Sequence, residues 1–96
     1  MAISGSGNSP NVINAVVYAN SIGCTTIGLT GRDGGRLAPI VDLNIHVPEQ
    51  HMGRIEDVHM IICHMISYCF MEEQAAEPVF AGAEAERELA GAAVTA

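Results

Sequence analysis

Ninety-six residues with 49% hydrophobic and 16% charged side chains make one small globular domain, a composition that argues against disorder over most of the length. The net charge of −7, with four Lys or Arg against eleven Asp or Glu, leaves no basic surface, which argues against nucleic acid and anionic lipid as partners. No apolar run approaches the roughly 20 residues of a membrane span, and the opening Met1-Ala2-Ile3-Ser4-Gly5 lacks the charged start and apolar middle of a signal peptide, so the expected location is the cytosol.

The chain opens on a short apolar strand, Ala2-Ile3-Ser4, running into Gly5-Ser6-Gly7-Asn8-Ser9-Pro10. Ser9 or Asn8 is a suitable helix N-cap and Pro10 suits the first helical position, where its missing N–H costs nothing. The helix expected over Asn11 to Ile22 has Val12, Ala15, Val16 and Ala19 at helical spacing, and Gly23 closes it. Cys24 to Thr30 reads as a second strand entering the glycine loop Gly31-Arg32-Asp33-Gly34-Gly35. A helical turn over Arg36 to Val41, bent at Pro39, leads to a third strand, Leu43 to Val47, ended by Pro48. From Met52 the pattern is helical to about Met71 or Glu73, with Glu49, Glu56 and Asp57 near its start, where they suit the positive end of the helix dipole. The domain is expected over residues 1–73, and residues 74–96, rich in Ala and carrying Glu77, Glu84, Glu86 and Glu88, read as an acidic tail, disordered or locally helical.

Alternating strands and helices imply right-handed crossovers and a parallel sheet covered on both faces. Ligands of such sheets bind beyond the carboxyl ends of the strands, and all three ends here run into polar or glycine-rich loops. The first loop is the sharpest of them. Its glycines allow backbone N–H groups to approach an oxyanion, its hydroxyls add donors, and the helix that follows adds a favourable dipole. It has neither a Walker lysine nor GxGxxG spacing, which favours a phosphorylated metabolite over a nucleotide; the alternative is an ordinary capped turn. On the last helix Glu56 and His64 stand two turns apart, about 12 Å in axial rise, and His59 lies roughly 140° around from His64. Each histidine is either a core or interface residue or a catalytic or metal-binding one. Three cysteines without CxxC spacing give neither a disulfide framework nor a zinc knuckle, and Cys63 and Cys69 read as apolar filler.

Four ordered motifs over residues 1 to about 71 carry a resemblance: Ile3-Ser4-Gly5-Ser6-Gly7-Asn8-Ser9-Pro10-Asn11-Val12; Thr26 to Gly31 with Asp33-Gly34-Gly35; Ile45-His46-Val47-Pro48; and Arg54-Ile55-Glu56-Asp57-Val58-His59 with His64. Together they resemble the sugar isomerase (SIS) domain family, and within it the phosphoheptose isomerases. The resemblance implies an α/β, three-layer α/β/α sandwich with a parallel sheet, flavodoxin-like, in a cytoplasmic homo-oligomer, tetrameric in the intact family. It implies aldose–ketose isomerisation of sedoheptulose 7-phosphate and D-glycero-D-manno-heptose 7-phosphate, a step toward lipopolysaccharide heptose, often with zinc. Carried over by residue, Ser4, Ser6 and Ser9 would bind the sugar phosphate, with Gly5 where the family usually has Thr. His64 would be the acid/base group. Glu56, at a position commonly Gln, would face zinc together with His64.

The family's amino-terminal helices and strands, with its catalytic glutamate base and a further metal-binding histidine, have no counterpart in these residues. The expectation is therefore a carboxy-terminal portion that holds the phosphate and one acid/base group but not the carbon-proton base. Non-catalytic SIS modules that sense sugar phosphates or bind a replication initiator are the alternative that the resemblance leaves open.

Overall fold

The computed structural model of the chain describes residues 1–91, with side chains described to residue 75. The elements are β1 (Ala2–Ser4), α1 (Pro10–Ser21), β2 (Ile27–Gly31), a 3₁₀ turn (Ala38–Ile40), β3 (Leu43–Val47) and α2 (Met52–Gly91). All three strands are parallel and lie in the order β1-β2-β3, with Ile3 beside Leu29 and Leu29 beside Ile45. The expected α/β class is thus present: a three-stranded parallel sheet flanked by helices, consistent with part of a flavodoxin-like SIS fold. Two compact units divide the chain, Met1–Ile62 and Cys63–Ala96.

Punctuation residues set α1. Pro10 begins it, and it closes in a Schellman arrangement in which Cys24 N–H donates to the Ala19 carbonyl (3.0 Å) and Gly23 N–H to that of Asn20 (3.2 Å). Ser9 occupies the cap position but its hydroxyl caps no helical N–H; it is hydrogen-bonded instead to Ser4 Oγ at 3.0 Å. The buried face is centred on Ile13 and Val16, while Ala15 is exposed, so the apolar stripe is rotated from the one the spacing suggested.

β2 starts three residues later than expected. Cys24 is taken by the exit from α1, and Thr26 is clamped to Asp42, whose Oδ2 accepts from both the Thr26 backbone N–H (2.7 Å) and its hydroxyl (3.2 Å). Those bonds tie the chain at the start of β2 to the chain entering β3.

Leu29, Leu37 and Ile55 are fully buried, with Ile13 and Val16 nearly so. Ile55 sets how α2 approaches the sheet. A Cβ placed on Gly31 would lie 2.5–2.8 Å from three Ile55 side-chain carbons, so only glycine at the end of β2 admits this packing. α2 passes the end expected at Met71 or Glu73, as the helix formers Glu72, Glu73, Gln74, Ala75 and Ala76 favour. Residues 92–96, the last part of the expected tail, lie outside the described residues. Among the described residues no helix is long and apolar enough to cross a membrane.

Candidate functional site

The loop after β1 is built by its own polar groups. Gly7 turns the chain at φ +72°, and its N–H reaches back to both the carbonyl (3.0 Å) and the hydroxyl (3.1 Å) of Ser4. Ser4 is buried. Its Oγ accepts from Gly7, and its single proton has Ser9 Oγ as a partner at 3.0 Å. Used that way, it leaves Ser9 its own proton to donate. Ser6 Oγ accepts from Asn8 N–H at 3.1 Å and likewise keeps a proton. Ser6 and Ser9 are half-buried, and with Ser4 as the donor to Ser9 the loop presents two donor hydroxyls at the start of α1. The structure thus brings Ser4, Ser6 and Ser9 into one loop.

A second glycine loop braces the first. Leu37 N–H donates to the Gly7 carbonyl at 2.8 Å and Arg36 N–H to Asn8 Oδ1 at 2.9 Å. The contact is so close that a Cβ on Gly35 would lie 2.5 Å from the Ser6 carbonyl. The third loop is tied in as well. Arg32 N–H donates to the Glu49 carbonyl at 3.0 Å, Arg32 Nε donates to the Gln50 carbonyl at 3.2 Å, and His46 Nε2 donates to the Arg32 carbonyl at 2.6 Å. Arg32 holds a left-handed backbone, φ +49°, within this set of bonds. From the sequence Asn8 stood out only as a helix cap, and Arg32 and His46 only as members of a loop and a motif, not as residues that tie loops together. The tandem Gly34-Gly35 was the available signal, because such pairs mark close backbone approach.

At the mouth of α2 the acidic residue in place is Glu49, just before the helix; no acidic residue lies in its first turn, so Glu56 and Asp57 do not serve the dipole as the sequence suggested. Glu49 Oε2 accepts from His51 N–H (2.9 Å) and Gln50 N–H (3.0 Å) and lies 3.7 Å from Arg54 Nη1. The His51 bond first, then the Gln50 bond and the Arg54 charge, outweigh desolvation and hold the Glu49 carboxyl below its ordinary value of 4.5. A carboxyl depressed on folding adds stability above its unfolded pKa, and that contribution is lost as pH falls through the folded value. The melting temperatures of the wild type and Glu49→Gln should therefore differ most near neutral pH and converge as acidification, carried below the ordinary carboxyl value of 4.5, protonates the folded carboxyl. A constant difference across that range would show that the carboxylate charge is not what stabilises the turn.

Glu56 is exposed on α2. His64 is exposed in the second unit, its ring tilted at 42° to that of Tyr68 with centroids 6.1 Å apart. In that unit Cys63 is half-buried and Cys69 exposed, so the filler reading does not suit Cys69. Among the described residues no group of three or more His, Cys, Asp or Glu side chains is placed to hold a metal. Glu56 and His64 supply two donors of the kinds zinc takes, of the three or four protein ligands in a zinc site.

His59, by contrast, is a core residue of the first unit. It is 3% exposed, and since a carbonyl only accepts, its Nε2–H donates to Thr30 O at 2.9 Å. Its Nδ1 is buried without a partner among the described residues.

No family model matches the chain. The phosphoheptose isomerase of Aliarcobacter butzleri is 50% identical over 66 residues, which cover 69% of this chain and 35% of that protein. That of Trichlorobacter lovleyi is 40% identical over 82 residues, 85% of this chain and 41% of that protein. The solved phosphoheptose isomerase from Neisseria gonorrhoeae superposes with a TM-score of 0.67 at 41% identity, covering 70% of this chain and 39% of that one. Over its matched residues the chain is similar to phosphoheptose isomerases. It spans about a third to two fifths of the length of the curated relatives it matches.

Proposed function

We propose that these residues form the phosphate-holding part of a phosphosugar isomerase site, acting on sedoheptulose 7-phosphate and D-glycero-D-manno-heptose 7-phosphate. The observation that carries the reading is the serine loop. Two half-buried hydroxyls with protons to give, a left-handed glycine and the N-terminus of a 12-residue helix converge where an oxyanion is best received, within a stretch shared with phosphoheptose isomerases. Ser6 and Ser9 donate to the phosphate while Ser4 directs Ser9. His64 serves as the acid/base group that moves hydroxyl protons, and the base that takes the carbon-bound proton comes from residues other than these. Exposed apolar side chains on α2, among them Met60, Ile61, Met65, Tyr68 and Phe70, support association into a homo-oligomer such as a tetramer.

Thermal melts with millimolar sedoheptulose 7-phosphate test the cradle. The phosphosugar should raise the melting temperature of the wild type, by about 2.7 kcal/mol of stability at a hundredfold excess over Kd, and the Ser6→Ala, Ser9→Ala double variant should lose the shift. An unmoved wild-type melt would remove the reading. A coupled isomerase assay, with and without added zinc, tests the chemistry: the chain alone should show no turnover, and turnover abolished by His64→Ala would show that the base lies within it. Capture of the bacterial replication initiator, without any response to phosphosugar, would favour a regulatory module instead.

A further inference from the structure

The chain has no lysine. Four arginines are its cationic side chains against eleven acidic ones. Three of the four, Arg32, Arg36 and Arg54, sit in the second loop or at the start of α2, beside the carboxyl ends of the strands. Two of these are engaged: Arg32 Nε donates to the Gln50 carbonyl at 3.2 Å, and Arg54 Nη1 lies 3.7 Å from Glu49 Oε2. The Arg36 side chain is exposed and, among the described residues, makes no hydrogen bond or ion pair.

The Arg36 backbone is nevertheless fastened to the serine loop. Its N–H donates to Asn8 Oδ1 at 2.9 Å, and the next N–H, that of Leu37, donates to the Gly7 carbonyl at 2.8 Å. Asn8 lies between Gly7 and Ser9, so a long cationic side chain is rooted beside the two donor hydroxyls. A phosphate held only by neutral N–H and O–H donors keeps its charge uncompensated in a molecule of net charge −7. We infer that Arg36 is the cation of the phosphate cradle, its guanidinium forking onto the phosphate oxygens left free by Ser6 and Ser9. This inference rests on the phosphosugar reading above, and it takes the second glycine loop to be the carrier of a binding residue as well as a brace.

Titration of the chain with inorganic phosphate and with sedoheptulose 7-phosphate, followed by calorimetry or backbone NMR, tests it. Arg36→Gln should weaken both ligands about tenfold or more without moving the ligand-free melting temperature. Arg36→Lys should recover part of the loss, and Arg54→Gln should bind as the wild type does. Wild-type affinity should fall with added salt more steeply than that of Arg36→Gln. If Arg36→Gln binds both ligands like the wild type while the Ser6→Ala, Ser9→Ala variant does not, the cradle stands and the role of Arg36 is refuted. If the wild type binds neither ligand, the phosphosugar reading fails and takes the inference with it.

Discussion

Gly7→Ala should destabilise the first unit by about 3 kcal/mol or more, read as a large drop in the urea or thermal midpoint. Two costs act together. Gly7 sits at φ +72°, where an L side chain loses about 1–2 kcal/mol against its ordinary conformations. Its Cβ would also overlap the Gly34 carbonyl, a backbone group that cannot rotate away as a side chain could. Relief requires the two loops to part, and parting them breaks the bond from Leu37 N–H to the Gly7 carbonyl. Phosphate binding should fail along with stability. A variant that kept both its midpoint and its ligand response would mean that the two loops separate freely.

His59→Ala should cost about 2–4 kcal/mol by the same measurements. The substitution empties a buried volume and deprives the Thr30 carbonyl of the Nε2–H that meets it at 2.9 Å. The partnerless Nδ1 makes wild-type His59 less favourable than a fully bonded histidine, so the loss should fall short of that for a fully satisfied buried imidazole. His59→Gln should recover part of it, because an amide N–H can donate to Thr30 O. The ring nitrogen shifts of the wild type should report Nε2 as the protonated nitrogen. A spectrum showing protonation at Nδ1 alone would overturn the assignment.

Much of the first unit could be read directly from the chain because Pro10, Gly23 and Pro48 mark element ends by local chemistry. α1 and β3 fall where those residues put them. What local pattern did not convey came from pairs outside helix and strand periodicity. The start of β2 moved because Thr26 is claimed by Asp42, and Ser9 gave up its capping role because Ser4 competes for its hydroxyl. Likewise the bond from Arg36 N–H to Asn8 Oδ1 spans 28 positions, beyond the reach of any helical or strand periodicity. The serine loop itself stood out early, since its glycines, hydroxyls and following proline are consecutive. His59 could not be separated from His64 by spacing. Its carbonyl partner lies on β2, and burial rather than residue type made it structural.

Two of the ties among the three loops, Leu37 N–H to Gly7 and Arg32 N–H to Glu49, join main chain to main chain. Gly7 apart, where a Cβ would overlap the Gly34 carbonyl, such bonds are indifferent to side-chain identity at the positions that form them, provided the backbone keeps its path. Side chains on this edge can therefore change over evolutionary time while the spacing between loops persists. An insertion is a different matter, because one added residue in any of the three loops would shift donors past their acceptors. The edge thus accommodates new chemistry by replacement far more readily than by lengthening, which is a constraint on how specificity can diverge in this fold.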